Sequence, residues 1–185
     1  EPQHASAYNL TVEPGTPLVR RAPALPDDVQ LIDMWQLAQE VLGAAGLPRY
    51  EISNYARPGR ACRHNLDIWY GKKFLGAGPA AHWFDGESRW ANPADLDRWL
   101  AGEPPAADRL SAADRAVEIL ITGLRVVDGW SHKQFRAVTG FHWDELRGEI
   151  IGRLIDEGLL LAGADRLCVT ERGMLLADHV ARELL

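Results

Sequence analysis

The sequence has few cysteines, no long apolar run and no excess of positive charge. Its two cysteines, Cys62 and Cys168, lie far apart in 185 residues. This excludes a disulfide framework and a local metal-binding spacing, and it favours a reducing, cytoplasmic compartment. No apolar stretch approaches the roughly 18 residues of a membrane helix. The net charge of −6 argues against nucleic acid or an anionic membrane as a partner.

In other respects the amino-acid composition is typical of a globular protein. The chain is 46% hydrophobic and 25% charged, and its length suits one large or two small domains. It begins without a methionine and enters a strand-like pattern at once. We therefore expect a C-terminal piece of a longer polypeptide.

The first part of the chain has an α/β pattern. Residues 4–12 predict a strand, Asp27 or Asp28 begins a helix that runs to about Gly46, and residues 49–53 predict a second strand. The helix carries an apolar stripe that we expect to be buried, formed by Leu31, Trp35, Ala38 and Leu42. Strand, helix and strand in this order predict a parallel βαβ unit. Ligands bind outside the carboxyl ends of parallel strands, which favours Tyr8, Asn9, Glu13 and Thr16 as site residues.

From about Pro93 onward the pattern is helical. After a linker at 103–108, capping signals at Ser111 and Ser131 begin two helices, and a third follows at 143–157. Two short strands and a final helix, 171–184, complete a winged-helix pattern. We therefore predict two domains, 1–92 and 93–185. The third helix is rich in acidic residues, which argues against DNA and favours a structural or protein-docking role.

The segment between these parts, Tyr50–Trp83, has little periodicity and is a candidate site. His64 suits haem iron and the nearby Trp69 suits a porphyrin face, although residue chemistry alone favours a structural histidine and a core tryptophan. The loop Gly76–His82 has small residues that suit either close approach to a ligand or a tight turn. Cys62, beside Arg63 and His64, is either a reactive thiol or a half-buried one.

Two aromatic features adjoin this segment. Trp69, Trp83 and Trp90 are close in sequence and line either a pocket for a flat ligand or an ordinary core. Asp85-Gly86 separates two strand-like runs and predicts a hairpin with a type I′ turn.

Several motifs in a fixed order resemble the C-terminal half of the HemW family. These are radical S-adenosylmethionine proteins of the oxygen-independent coproporphyrinogen III oxidase-like group. The matching segments are HASAYNLTVEPGT (4–16), YEISNYARPG (50–59), CRHNLDIW (62–69), FLGAGPAAH (74–82), GLR (123–125) and the tail of 158–160 and 170–173.

The resemblance implies a fold and a function. The fold is α/β plus α: the C-terminal portion of a partial (β/α) radical SAM barrel, followed by a helical winged-helix-like domain. The function is that of a haem chaperone, which binds haem and passes it to a haem-accepting protein. Peripheral contact with membrane haemoproteins is compatible with this role. The alternatives are an oxygen-independent coproporphyrinogen III oxidase and a winged-helix protein-interaction module.

The resemblance also implies cofactors and site residues. The family carries a [4Fe–4S] cluster and S-adenosylmethionine, but its three-cysteine cluster motif is not in this chain. Haem binding is expected at His64, Asn65, Trp69 and His82, with Ile68 where the family prefers tyrosine. The residues expected to face S-adenosylmethionine are Tyr8, Asn9, Gly76, Gly78, Ala81 and His82.

Overall fold

Residues 1–21 and 23–185 are described by a computed structural model, in which the chain divides into two units, Glu1–Cys62 and Arg63–Leu185. This division lies before the expected domain boundary at 92/93. It falls there because the segment after Arg63 packs on the helices of the second unit, as described below. Within the described residues, no helix has the length and apolar character needed to cross a membrane.

The first unit consists of one helix and a small sheet. Its elements are β1 (His4–Ser6), a 3₁₀ turn (Val19–Arg21), α1 (Asp28–Ala44), β2 (Arg49–Glu51) and β3 (Asn54–Ala56). The sheet order is β1-β3-β2, and both pairings are antiparallel. Only Ile52 and Ser53 separate β2 from β3, and so tight a hairpin places β3 beside β2. The predicted parallel pairing is therefore wrong: β1 and β2 run in the same direction, but β3 lies between them.

The first strand is also shorter than the predicted 4–12. The amide of Ala7 donates to the Ser53 carbonyl at 2.9 Å, and the strand ladder does not continue beyond it. A strand persists only where its backbone groups find partners. Tyr8 and Leu10 are exposed, and their segment is irregular.

Helix α1 begins where the sequence predicts. Asp27 forms a capping box with Gln30: the Asp27 carboxylate accepts from the Gln30 amide at 2.8 Å, and the Gln30 side chain accepts from the Asp27 amide at 3.0 Å. Gly46 ends the helical segment with φ of 78°. The predicted stripe is only half-buried, and no residue of α1 is fully buried.

The second unit begins with a short helix and a three-stranded antiparallel sheet. Its elements are α2 (Arg63–Trp69), β4 (His82–Phe84), β5 (Arg89–Ala91), α3 (Leu96–Leu100) and β6 (Ala106–Asp108), and the sheet order is β4-β5-β6. The linker predicted at 103–108 is thus partly wrong, because residues 106–108 pair with β5 and Asp108 forms an ion pair with Arg89.

The predicted hairpin is present, but its turn differs from the prediction. The last strand pair is Phe84 with Arg89, so the loop has four residues, 85–88. A type I′ turn needs positive φ at both central residues. Of Asp85 and Gly86, only Gly86 has it, with φ of 104°. The Asp85 carboxylate instead accepts from the amides of Glu87 and Ser88, both at 2.8 Å.

The rest of the second unit surrounds an apolar core. Its elements are α4 (Ala112–Gly123), β7 (Trp130–Ser131), α5 (His132–Thr139), α6 (Trp143–Asp156), β8 (Leu160–Ala162), β9 (Arg166–Val169), α7 (Glu171–Leu175) and α8 (Ala177–Leu184). The sheet order is β7-β9-β8, all antiparallel. Ser111 and Ser131 cap α4 and α5 as predicted. The fully buried side chains at the centre include Leu120, Trp130, Phe135, Leu154, Leu167 and Leu184.

Two helix ends differ from the sequence patterns for packing reasons. Helix α4 ends at Gly123, before the predicted Val127. Gly123 packs directly on the Trp130 indole, where a Cβ would overlap the ring. The predicted final helix divides into two helices at Leu176. The break lets α8 direct Val180 and Leu184 into the core.

Candidate functional site

Helix α2 carries the histidine motif. Asn65 and Trp69 are four residues apart and share one face of the helix, while His64 and Ile68 share the neighbouring face. The His64 side chain is exposed, and within the described part of the chain it makes no hydrogen bond, ion pair or ring contact. An imidazole in that state has both ring nitrogens available for a ligand.

The C-terminal end of α2 is packed firmly against the core. The Thr122 hydroxyl of α4 donates to the Trp69 carbonyl at 3.0 Å. The Tyr70 hydroxyl donates to the Gly129 carbonyl at 3.2 Å, and its ring lies edge-on to Trp130 at 4.9 Å. Burial, and secondarily the Asp128 carboxylate, raises the pKa of Tyr70 to about 12. The C-terminal end of α2 is therefore fixed to the core, whereas the N-terminal end presents the exposed side chain of His64 to solvent.

Trp69 contacts a cation rather than another aromatic ring. The guanidinium of Arg125 lies over the indole, 4.6 Å from the ring centroid. The indole Nε1 and the Arg125 Nε are both buried, and neither has a hydrogen-bond acceptor among the residues the structure describes.

The loop Gly76–His82 is held by one asparagine that the sequence patterns did not identify. The Asn92 side-chain amide donates to the Gly78 carbonyl at 2.9 Å and to the Gly76 carbonyl at 3.4 Å. Its backbone amide donates to Ala81 at 2.9 Å. Gly76 is required for close packing, because a Cβ there would overlap the His82 carbonyl.

The same loop presents its side chains to solvent. His82 is exposed, as are the loop residues Ala77, Pro79 and Ala80. Leu75, just before the loop, is 87% exposed. Ala80 has φ of 59°, a conformation that is uncommon for a residue other than glycine, and its amide donates to the Pro93 carbonyl at 2.9 Å. The backbone of the loop is therefore fixed while its apolar side chains remain uncovered.

Two of the three nearby tryptophans pack on each other. Trp83 and Trp90 stack across β4 and β5, with centroids 5.1 Å apart and ring planes 11° apart. The Trp90 indole donates to Asp85 at 2.8 Å. Hydrogen bonds from the Ser88 amide, the Glu87 amide and then this indole lower the pKa of Asp85 to about 2. No ring contact among the described residues joins Trp69 to this pair, so contacts do not support a single pocket lined by all three.

The remaining predicted residues lie in the first unit. Tyr8 is exposed, and its hydroxyl accepts from the Asn54 side chain at 3.3 Å. Asn54 also bonds to Ser6 and to the buried carboxylate of Glu51, which accepts a second hydrogen bond from the Ser53 amide at 2.9 Å. Asn9 is exposed beside this network.

Neither cysteine has the surroundings of a metal centre. Cys62 and Cys168 are free and half-buried. Burial raises the pKa of the Cys168 thiol, which makes it less reactive. Across residues 1–21 and 23–185, no group of three or more histidine, cysteine, aspartate or glutamate side chains is placed to hold a metal ion.

The structure therefore assembles the predicted residues only in part. Seven of the predicted residues lie in the second unit: His64, Asn65, Trp69, Gly76, Gly78, Ala81 and His82. Tyr8 and Asn9 lie in the first unit. Sequence reasoning missed Asn92 and Arg125. Arg125 lies in one of the segments that carry the family resemblance, whereas Asn92 had no signal apart from its position before a proline.

Comparison with known proteins identifies the relatives of this chain. The model of the HemN C-terminal domain family matches residues 110–176. Heme chaperone HemW of Mycobacterium tuberculosis is 40% identical over 192 residues, covering 98% of this chain and 47% of the relative. Heme chaperone HemW of Escherichia coli is 34% identical over 185 residues, covering 97% of this chain and 49% of the relative. The chain is HemW-like along nearly its whole length.

The HemW relatives are longer than this chain, and a solved structure resembles it. The chain spans about half the length of the curated relatives it matches. The solved structure of coproporphyrinogen III oxidase (HemN) of Escherichia coli matches this chain over its whole length. The match covers 48% of the HemN chain, with a TM-score of 0.75 and 17% sequence identity. At that identity the match shows the fold alone, and it agrees with the predicted mixed α/β class.

Proposed function

We propose that this HemW-like chain is the haem-binding part of a haem chaperone, which binds haem and transfers it to an acceptor protein. The observation that carries the proposal is His64. It stands exposed and without a side-chain partner among the described residues, on a helix whose other end is fixed to the core. A ligand for an axial position of haem iron needs an available imidazole nitrogen on a rigid support.

Haemin titration of the protein, followed by the Soret band, tests the proposal. We expect His64→Ala to weaken haemin binding and to shift the Soret band, because the axial ligand changes. His82→Ala tests the second candidate, since His82 is also exposed. The matched control is His179→Ala, which removes a half-buried histidine of α8 that has no proposed role. Unchanged affinity and spectrum in His64→Ala would exclude His64 as the ligand.

The transfer step needs a second experiment. Protein loaded with haemin is mixed with an apo-haemoprotein, and the appearance of the acceptor's own spectrum is followed. Transfer faster than from free haemin supports a chaperone. Transfer at the rate of passive dissociation from the protein contradicts it.

The fold interpretation supports the same proposal. We interpret the first part of the chain as the end of a partial radical SAM barrel, and 93–185 as a winged-helix-like domain. The helices α4, α5 and α6, followed by the β8–β9 hairpin, have the order of a winged helix. The exposed face of α6 is predominantly acidic, which favours protein docking over DNA binding.

This chain lacks the cysteine ligands of the family's iron–sulfur cluster but offers candidate contacts for S-adenosylmethionine. Two separate cysteines cannot supply the three thiolates of the family's [4Fe–4S] motif, so no cluster is assigned to these residues. For S-adenosylmethionine we propose contact with the backbone of Gly76, Gly78 and Ala81 and with the side chain of His82. The support is the loop that Asn92 fixes and that leaves its side chains uncovered. Tyr8 and Asn9 of the first unit stay predictions from the sequence.

An oxygen-independent coproporphyrinogen III oxidase is the second candidate. The structural match to the HemN enzyme favours it as a fold, while the identity to chaperones at up to 40% favours the first candidate. An anaerobic assay of the reconstituted protein for decarboxylation of coproporphyrinogen separates the two. Formation of protoporphyrinogen would reverse the order of the candidates.

A further inference from the structure

The feature that the proposed histidine ligand leaves unexplained is the pair formed by Trp69 and Arg125. The indole Nε1 and the guanidinium Nε are buried side by side, and both lack an acceptor in the part of the chain that the structure describes. A buried N–H donor without an acceptor costs free energy, and nearly all such donors in proteins are paired. Two neighbouring donors in this state offer hydrogen bonds to an acceptor from outside the chain.

The charge of Arg125 restricts what that acceptor is. Among the described residues, its guanidinium makes no ion pair and no side-chain hydrogen bond, and it lies over the Trp69 ring. An anionic acceptor would satisfy the donors and balance the charge at once, so the pair favours an anion.

Thr122 connects the backbones of the two residues. The Thr122 hydroxyl donates to the Trp69 carbonyl at 3.0 Å, and the Thr122 carbonyl accepts from the Arg125 backbone amide at 3.2 Å. The guanidinium itself lies over the indole, 4.6 Å from the ring centroid. A planar guanidinium with an adjacent N–H donor suits a carboxylate, whose two oxygens can accept from both groups.

We propose that Trp69 and Arg125 bind a propionate carboxylate of haem while His64 ligates its iron; this rests on the proposed haem-binding function. His64 precedes Trp69 by five residues, which is about 7.5 Å along the axis of a helix. The iron and the propionates occupy different parts of the haem, so one short helix can present both contacts. Ile68 beside His64 supplies no polar group, and Asn65 on the Trp69 face carries no charge, so Arg125 is the cation nearest to this face that the contacts identify.

The test compares haemin with haemin dimethyl ester, which has the same iron and ring but no free carboxylate. We expect Arg125→Met to weaken haemin binding about tenfold or more, because a charge-assisted hydrogen bond is lost. Its affinity for the ester should equal that of the unchanged protein. Trp69→Phe keeps the ring and removes the N–H donor, so we expect a smaller loss that is again confined to haemin. Arg125→Lys keeps the charge without the planar fork and should restore part of the affinity.

Arg153→Met is the matched control. Arg153 is an exposed arginine of α6 that already forms ion pairs with Glu157 and Glu183, and its loss should leave both affinities unchanged. Ester binding also reports on folding, because a variant that binds the ester normally has kept its site. Arg125→Gln, a smaller polar change, replaces Arg125→Met if the latter does not fold.

The outcomes separate this inference from the proposed function. Equal losses for haemin and ester in Arg125→Met would show that Arg125 is structural, and unchanged haemin binding would show that it contacts no propionate. Either result overturns the inference and leaves haem binding intact. Failure of the unchanged protein to bind either compound would instead overturn the proposed function, and this inference with it.

Discussion

The two units of the chain differ in what fills their interiors. The second unit has a continuous apolar core, with tryptophan, phenylalanine and several leucines fully buried. The first unit buries few apolar side chains, chiefly Leu47, Tyr55 and Ala56, and with them the polar groups of Glu51 and Asn54. Hydrophobic burial is the main favourable contribution to folding. The comparison indicates that the second unit is stabilised by its own core, whereas the first depends on a small polar network.

The surfaces of the units show the same contrast. Helix α1 exposes large apolar residues around most of its circumference, and these are Val29, Ile32, Met34, Leu37 and Val41. Extensive exposed apolar surface is typical of an interface. In the second unit, by contrast, α6 directs its apolar side into the core and its acidic side chains to solvent.

The largest expected effect comes from one substitution made in each unit. Leu154→Ala in α6 removes a side chain with no exposed surface, and we expect it to lower the free energy of unfolding by about 2–5 kcal/mol. Leu37→Ala in α1 removes a side chain that is 58% exposed, and we expect a change within about 0.5 kcal/mol. Urea denaturation of both variants measures the difference. Equal destabilisation would contradict the burial of Leu154 and the exposure of Leu37.

The polar network of the first unit offers a second test. Asn54→Ala removes hydrogen bonds to Ser6, Glu51 and Tyr8 and leaves the buried Glu51 carboxylate with fewer donors. We expect a loss of about 1–3 kcal/mol, because buried polar groups without partners are costly. Hydrogen exchange should show faster opening at β1 and β3 and unchanged protection in α4 and α6.

Thr139→Ala is the control for this substitution. It removes a hydroxyl hydrogen bond of the second unit, from Thr139 to the Phe135 carbonyl at 2.8 Å. Protection at β1 and β3 should not change in it. If Asn54→Ala left that protection unchanged as well, the network would not be what stabilises the first unit.

The smallest expected effect concerns Tyr70 at the fixed end of α2. Its pKa is raised to about 12 in the folded protein, against about 10 in an unfolded chain. Between these pH values the unfolded chain loses the phenolic proton and the folded protein keeps it. The contribution to stability is therefore fully present below pH 10 and is lost as pH rises toward 12. The difference in tyrosinate absorbance between the protein and Tyr70→Phe should show one transition near 12. A transition near 10 would mean that the end of α2 is not packed as described.

Local signals in the sequence predicted the helices of both units well. Asp27, Ser111 and Ser131 each cap a helix where predicted, because capping depends on residues only three positions apart. Strand partners were predicted poorly: β3 lies between β1 and β2, and residues 106–108 form a strand instead of a linker. Pairing joins residues far apart in sequence, and alternation of side chains does not specify the partner.

The candidate site shows the same division. His64, Trp69 and the Gly76–His82 loop were identified from residue type and spacing, and the family resemblance rests on them. Asn92 and Arg125 were not identified, since each acts through a partner at least 14 residues away in sequence.

The sequence by itself determined the helix boundaries at their capped ends, the resemblance to HemW and the histidine that we propose as the haem ligand. These depend on chemistry that is local or on motifs that keep their order along the chain. Only the tertiary structure decided the strand order, the exposure of α1 and the pairing of Arg125 with Trp69. Each of these depends on which surfaces meet, and the free energy of that contact is shared among residues that the linear sequence keeps apart.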